Sequence, residues 1–124
     1  MTKYETGLKR IKEILGPDST EIIEHFKKIS PDFSNYIVEF AYGDFYTRTT
    51  LPDKSKELAA VANLIGQGKT GFPLKAHLKG MLHVGWTKND IIELLIFLTV
   101  YSGFPTIVET INIAQEVFNS LEKK

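Results

Sequence analysis

The sequence predicts an all-α protein, and three observations carry that expectation. Apolar residues recur at three- and four-residue spacing through almost the whole chain, residues that start and stop helices fall at the ends of those stretches, and no segment alternates apolar and polar residues between hairpin turns. No repeat of fixed length and no low-complexity stretch interrupts the pattern.

Taken in order, Tyr4, Leu8, Ile11 and Leu15 share one face of a first helix that Gly16-Pro17 stops. Ser19 or Thr20 starts a second helix carrying Ile22, Ile23, Phe26 and Ile29. Pro31 suits the first turn of a third, with Phe33, Tyr36, Ile37 and Phe40 on one face and an interruption at Gly43. A polar loop at 47–52 follows, and Asp53 caps a fourth helix reaching about Ile65. Gly66, Gly68 and Gly71 break the pattern, and Pro73 opens a fifth helix that Gly85 stops. Thr87 and Asp90 form a capping box, with Trp86 and Ile91 at the two staple positions, before a sixth helix that is apolar nearly all round from Ile91 to Val100. Such a helix is covered by its neighbours or by another subunit. A last amphipathic helix directs Ile107, Ile111, Ala114, Phe118 and Leu121 inward, with Glu109 and Glu116 outward.

The 124 residues, 43% hydrophobic and 24% charged, are those of one globular domain spanning 1–124. Fifteen Lys and Arg offset fifteen Asp and Glu, so no general attraction to nucleic acid or to an anionic membrane is expected. The N-terminus has no apolar signal core and the longest apolar run is too short to span a bilayer, which predicts a soluble, cytoplasmic protein. The chain has no cysteine, and this excludes disulfides, thiolate zinc sites, iron–sulfur ligation and any thiol redox cycle.

Gly68-Lys69-Thr70 has the look of the end of a phosphate-binding loop. A true one places a glycine where Asn63 stands and follows a strand, whereas a helix precedes this one; residues 66–73 therefore read as an interhelical linker.

Two polar residues fall on apolar faces. On a helical wheel at about 100° per residue, Glu57 lies inside the arc of Leu58, Val61, Ala62, Leu64 and Ile65. His77 lies at the edge of the arc of Leu74, Leu78, Met81 and Leu82, with His83 on the opposite side. A carboxylate and an imidazole facing one core are costly unless they meet partners, and pairing the two is the simple solution. Such a pair holds and moves a proton near neutral pH. The structural alternative is that Glu57 answers the helix dipole in its first turn and His77 is a hydrogen-bonded packing residue. Arg48, in the polar loop, has the planar fork to bind a substrate carboxylate, and Tyr101, at the end of the sixth helix, has a hydroxyl to donate; a solvated arginine and a packing tyrosine are the plainer readings. His77 and His83 are separated by about 240° around their helix and cannot share a metal, and no metal site is expected.

Three stretches, "FAYGDFYTRTTLPDKSKELAAVANLI" at 40–65, "LKAHLKGMLHVGWTKNDIIELLIFLTVYSGFP" at 74–105 and "AQEVF" at 114–118, resemble in order the carboxymuconolactone decarboxylase family, within the larger AhpD-like group. The resemblance implies an AhpD-like fold of about six to seven helices built around a helical hairpin and assembled as a homo-oligomer, a trimer or hexamer. The peroxidase branch of that group uses a Cys-x-x-Cys pair, and here Thr70-Gly71-Phe72-Pro73 stands in that neighbourhood, so thiol peroxidase activity is disfavoured. In the decarboxylase branch the motif glutamate and histidine fall on Glu57 and His77. Lys56 departs from the arginine that the family more often has.

The resemblance further implies a cofactor-free decarboxylase of a small unsaturated carboxy-lactone, such as acts in aromatic-compound degradation. His77 would be the proton donor, Glu57 its partner, and Arg48 and Tyr101 the candidate substrate contacts. Two other readings remain: another cofactor-free decarboxylase or isomerase of a small carboxylate, and a non-enzymatic oligomeric module in which Glu57 and His77 only satisfy each other.

Overall fold

The computed structural model describes residues 1–122, which form seven α-helices, a 3₁₀ turn and a π-helical stretch, with no strand among the described residues. The contacts divide the chain into two compact units, Met1–Asp53 and the remainder from Lys54.

The first unit begins with α1, Lys3–Leu15, entered through a capping box in which Thr2 accepts from the Glu5 N–H and the Glu5 carboxylate accepts from the Thr2 N–H. Gly16, at φ 103°, turns the chain into the 3₁₀ turn Pro17–Ser19 and then α2, Thr20–Ile29. Ser30 caps α3, Pro31–Asn35, which runs straight on into a π-helix over Tyr36–Phe45. The expected face of Phe33, Tyr36, Ile37 and Phe40 does not form the core: Phe33, Tyr36 and Phe40 are exposed, and Ser34, Val38 and Tyr42 are buried instead. The cause lies at Gly7, where a β-carbon would stand 2.0 Å from the Val38 carbonyl oxygen. Only a glycine lets α1 come down on that carbonyl, and the wider π turn, closed by bonds such as Tyr46 N–H to Ala41 O at 3.1 Å, aligns residues four apart beneath α1. Arg10 on α1 then gathers the following loop, donating from Nε to the Tyr46 carbonyl at 2.8 Å and from Nη2 to Asp53 Oδ1 at 2.5 Å.

The second unit contains α4 (Asp53–Gly66) from its second residue on, α5 (Phe72–His83), α6 (Lys88–Ser102) and α7 (Phe104–Glu122). Its core joins Val61 and Ile65 of α4 to Leu74, Leu78 and Met81 of α5, Ile91 and Leu95 of α6, and Ala114 and Val117 of α7. The α6 capping box of Thr87 and Asp90 forms as the sequence predicts. On α7, Ile107, Ala114 and Phe118 are buried as expected, but the stripe is completed by Thr110 and Val117, while Ile111 and Leu121 turn outward. One face of α6 packs inward through Ile91, Leu95 and Leu98; the other leaves Ile96, Phe97, Val100 and Tyr101 exposed.

The linker between α4 and α5 uses its amides locally. The N–H groups of Gln67, Gly68 and Lys69 donate to the carbonyls of Asn63, Ile65 and Leu64, closing the end of α4 with Gly68 at φ 72°. Those donors therefore complete a helix terminus rather than wrap a phosphate.

Candidate functional site

Glu57 is the fifth residue of α4 and so lies one turn beyond the helix start, with its side chain fully buried. The favourable place next to the helix dipole is taken by Asp53, which begins the helix and meets Arg10. The burial of Glu57 follows from its register: Val61 comes one turn later on the same face and belongs to the core.

His77 sits in the middle of α5, flanked by the buried Leu74, Leu78 and Met81. Its Nδ1 stands 2.7 Å from Oε1 of Glu57, and its side chain remains 19% exposed. The imidazole is thus anchored in the protein through one nitrogen while part of the ring reaches the surface. His83 is exposed, as its wheel position predicts.

This arrangement fixes the proton inventory. An ionised carboxylate only accepts, so with Glu57 ionised the histidine carries a hydrogen on Nδ1 and its second nitrogen, Nε2, is left for chemistry. In the neutral ring Nε2 presents a lone pair; in the imidazolium it presents an N–H. The pair is therefore equipped for general acid or general base work at one defined atom, with the carboxylate orienting the ring and balancing the imidazolium charge.

The other two candidates belong to other elements. Arg48 belongs to the first unit, where it is exposed and lines a cavity of about 380 Å³ together with Arg10, Tyr46, Thr47, Thr49 and Asp53. Tyr101 is 75% exposed on the outer face of α6, its ring edge-on to Phe97 at 5.6 Å between centroids. That face is opposite the one α6 presents to the core, so within one chain Tyr101 is not brought to His77. One bond escaped the sequence reading, which places Trp86 only at a staple position: its indole donates to the Lys54 carbonyl at 2.8 Å, a long-range contact to which helical spacing gives no clue.

Fold and site together define an all-α protein with a buried carboxylate paired to a histidine across two successive helices. The chain belongs to the carboxymuconolactone decarboxylase family, whose sequence model matches residues 31–116. It is 31% identical over 120 residues to a 4-carboxymuconolactone decarboxylase of Acinetobacter baylyi, an alignment covering 96% of this chain and 89% of that protein. It is 28% identical over 125 residues to a nitrosuccinic acid decarboxylase of Metarhizium robertsii, covering 98% of this chain and 85% of that one. A third relative, an uncharacterized 15.0 kDa protein of Paracoccus denitrificans, is 26% identical over 102 residues, covering 77% of this chain and 76% of its own. Among the described residues no helix is long and apolar enough to cross a membrane.

Proposed function

We propose that the protein is a decarboxylase of a small unsaturated carboxy-lactone, with His77 as the proton donor and Glu57 as its orienting partner. The observation that carries this reading is the 2.7 Å contact between a fully buried carboxylate and a histidine that remains partly open to the surface. Family membership and the names of two relatives support the reaction class.

In this reaction the bond between the ring carbon and its carboxylate breaks and carbon dioxide leaves. The electron pair spreads through the conjugated ring onto the lactone carbonyl oxygen, so the substrate serves as its own electron sink. The protein holds the departing carboxylate in a poorly solvated place and delivers a proton from Nε2 of His77 to a different ring carbon. Glu57 stabilises the imidazolium that exists before the transfer, and water restores the proton afterwards. Arg48 is proposed as a clamp for a second carboxylate, and Tyr101, on the outer face of α6, as a substrate contact to the site of another copy of the chain.

The name of the fungal relative favours a second reading, decarboxylation of another small carboxylate. A panel of carboxy-lactones and small dicarboxylates, followed by product chromatography, separates the two. The test common to both is His77→Ala, which abolishes turnover while the helical circular dichroism persists; undiminished turnover refutes the assignment.

We further propose that the chain forms a homo-oligomer through the outer face of α6 and the start of α7. Ile96, Phe97, Val100, Tyr101, Phe104 and Val108 are each more than half exposed there, with no charged side chain among them. At roughly 100–200 Å² apiece they supply an area on the order of the ~800 Å² that each partner contributes to a standard interface, which suits a second copy of the same chain.

A further inference from the structure

The geometry points to Trp86 as a positioning residue for the Glu57–His77 pair, tying the start of α4 to the end of α5; the inference rests on the role proposed above for that pair. The two helices are joined in sequence by the 67–71 linker. Side chains pack little around that linker, since a β-carbon added at Gly66, Gly68 or Gly71 would meet nothing within 4 Å. Glu57 lies toward the far end of α4 and His77 at the middle of α5; beyond them, at the start of α4 and the end of α5, no covalent linker joins the two helices.

Trp86 supplies a connection there. After His83 the chain turns back through Gly85, whose φ of 115° strains any residue with a β-carbon, and the Trp86 backbone N–H donates to the Met81 carbonyl at 3.0 Å. That bond fixes Trp86 to α5. Its indole Nε1–H donates to the Lys54 carbonyl on α4 at 2.8 Å, and the Lys54 ammonium stands 4.4 Å from the ring centroid. The ring also packs against the buried cluster of the unit.

Each anchor is close to one member of the pair. Glu57 follows Lys54 by three residues and His77 precedes Met81 by four, so each member shares a helix face with its own anchor. A slide or rotation of α4 against α5 would change the Nδ1 to Oε1 contact, which depends steeply on distance and angle, and the tie at Trp86 resists it. Trp86 does not need to touch substrate for this; it acts through the alignment of Glu57 and His77.

The test compares Trp86→Phe, which keeps a packed ring and removes the N–H, with Trp86→Leu, which removes both, and Lys54→Met, which removes the ammonium and keeps the accepting carbonyl. Imidazole nitrogen resonances of the ¹⁵N-labelled protein report the pair directly, with His77 identified by its loss in His77→Gln and His25 serving as reference. In both Trp86 variants the His77 Nδ1 resonance moves toward that of an unbonded ring. Turnover of the lactone falls about two- to tenfold in kcat, the scale of one weakened hydrogen bond, with KM nearly constant. Lys54→Met leaves the resonance in place. An unchanged His77 resonance in Trp86→Phe overturns the assignment even if Trp86→Leu does not fold, and so does a shift in Lys54→Met as large as that in Trp86→Phe. The resonances are read without substrate, so a wild-type protein that decarboxylates nothing would refute the proposed function while the tie is still decided.

Discussion

Nδ1 of His77 lies 2.7 Å from Oε1 of Glu57, although twenty residues and a glycine-rich linker separate them in the chain. The two members of the pair differ in their access to water: the carboxylate is fully buried, while the imidazole side chain keeps 19% of its surface. The consequence is an asymmetry in what each substitution does.

His77→Leu removes the imidazole from a buried carboxylate and destabilises the fold by roughly 3 kcal/mol. Glu57→Leu destabilises less, because the histidine left behind still reaches water. The double substitution is more stable than the sum of the singles predicts. Urea unfolding of the four proteins checks this cycle, and strict additivity would mean that the contact carries no coupling.

Glu57→Gln keeps the shape and a hydrogen-bonding oxygen but removes the charge that balances the imidazolium. Turnover falls by about 10²-fold or more, within the range ascribed to general acid catalysis, while the unfolding midpoint moves far less than in His77→Leu. Steady-state kinetics beside a thermal melt distinguish this outcome from simple loss of packing.

Gly7→Ala places a methyl group where the Val38 carbonyl already stands, at 2.0 Å, in the backbone rather than in a yielding side chain. Separation of α1 from the π-helix costs about 1–3 kcal/mol, measurable by denaturant titration. Gly66→Ala meets no such obstacle and is neutral or mildly stabilising.

Val100→Glu combined with Phe104→Glu puts two charges into the outer apolar face of α6 and α7, where both residues are about three-quarters exposed. Light scattering after gel filtration detects an assembly in the unmodified protein and a single chain in the variant. An unmodified protein that runs as one chain at micromolar concentration would refute the proposed interface.

The α6 capping box makes a pH-dependent contribution. Hydrogen bonds from the Thr87 backbone and side chain hold the Asp90 carboxyl below its usual range. A lowered folded-state value means that the stabilisation is present above the ordinary carboxylate pKa and is lost as the pH falls through the lowered one. Thr87→Ala moves the Asp90 midpoint upward, as a carboxyl-carbon titration records. Loss of the threonine cap itself weakens the helix start by about 1 kcal/mol.

The legible parts of the protein are those written in local spacing. Helical periodicity and its punctuation disclose the helices, and the wheels of α4 and α5 turn Glu57 and His77 inward because each has apolar neighbours three and four residues away on the same face. What the wheels do not contain is the approach of one helix to another. The buried face of Ser34 in α3 and of Val38 and Tyr42 in the π-helix depends on a contact made by Gly7, some thirty residues earlier, so the spacing of Phe33, Tyr36 and Phe40 points to the wrong face. The Trp86 bond to Lys54 is likewise a tertiary event, and its residue is legible only as a staple before α6. Arg48 and Tyr101 are legible only by their chemistry; spacing gives neither a place beside the pair, and the structure leaves both exposed, Arg48 in the loop of the first unit and Tyr101 on the outer face of α6.

The open space around the α4–α5 linker has a practical consequence. Because the chain contains no native thiol, a cysteine introduced at Gly66 or Gly71 would be the sole attachment point for a fluorophore, in a place where a side chain collides with nothing. A dye there, with the single tryptophan on the far side of the hairpin as its donor, would form an optical ruler along the two helices whose reading changes when they slide.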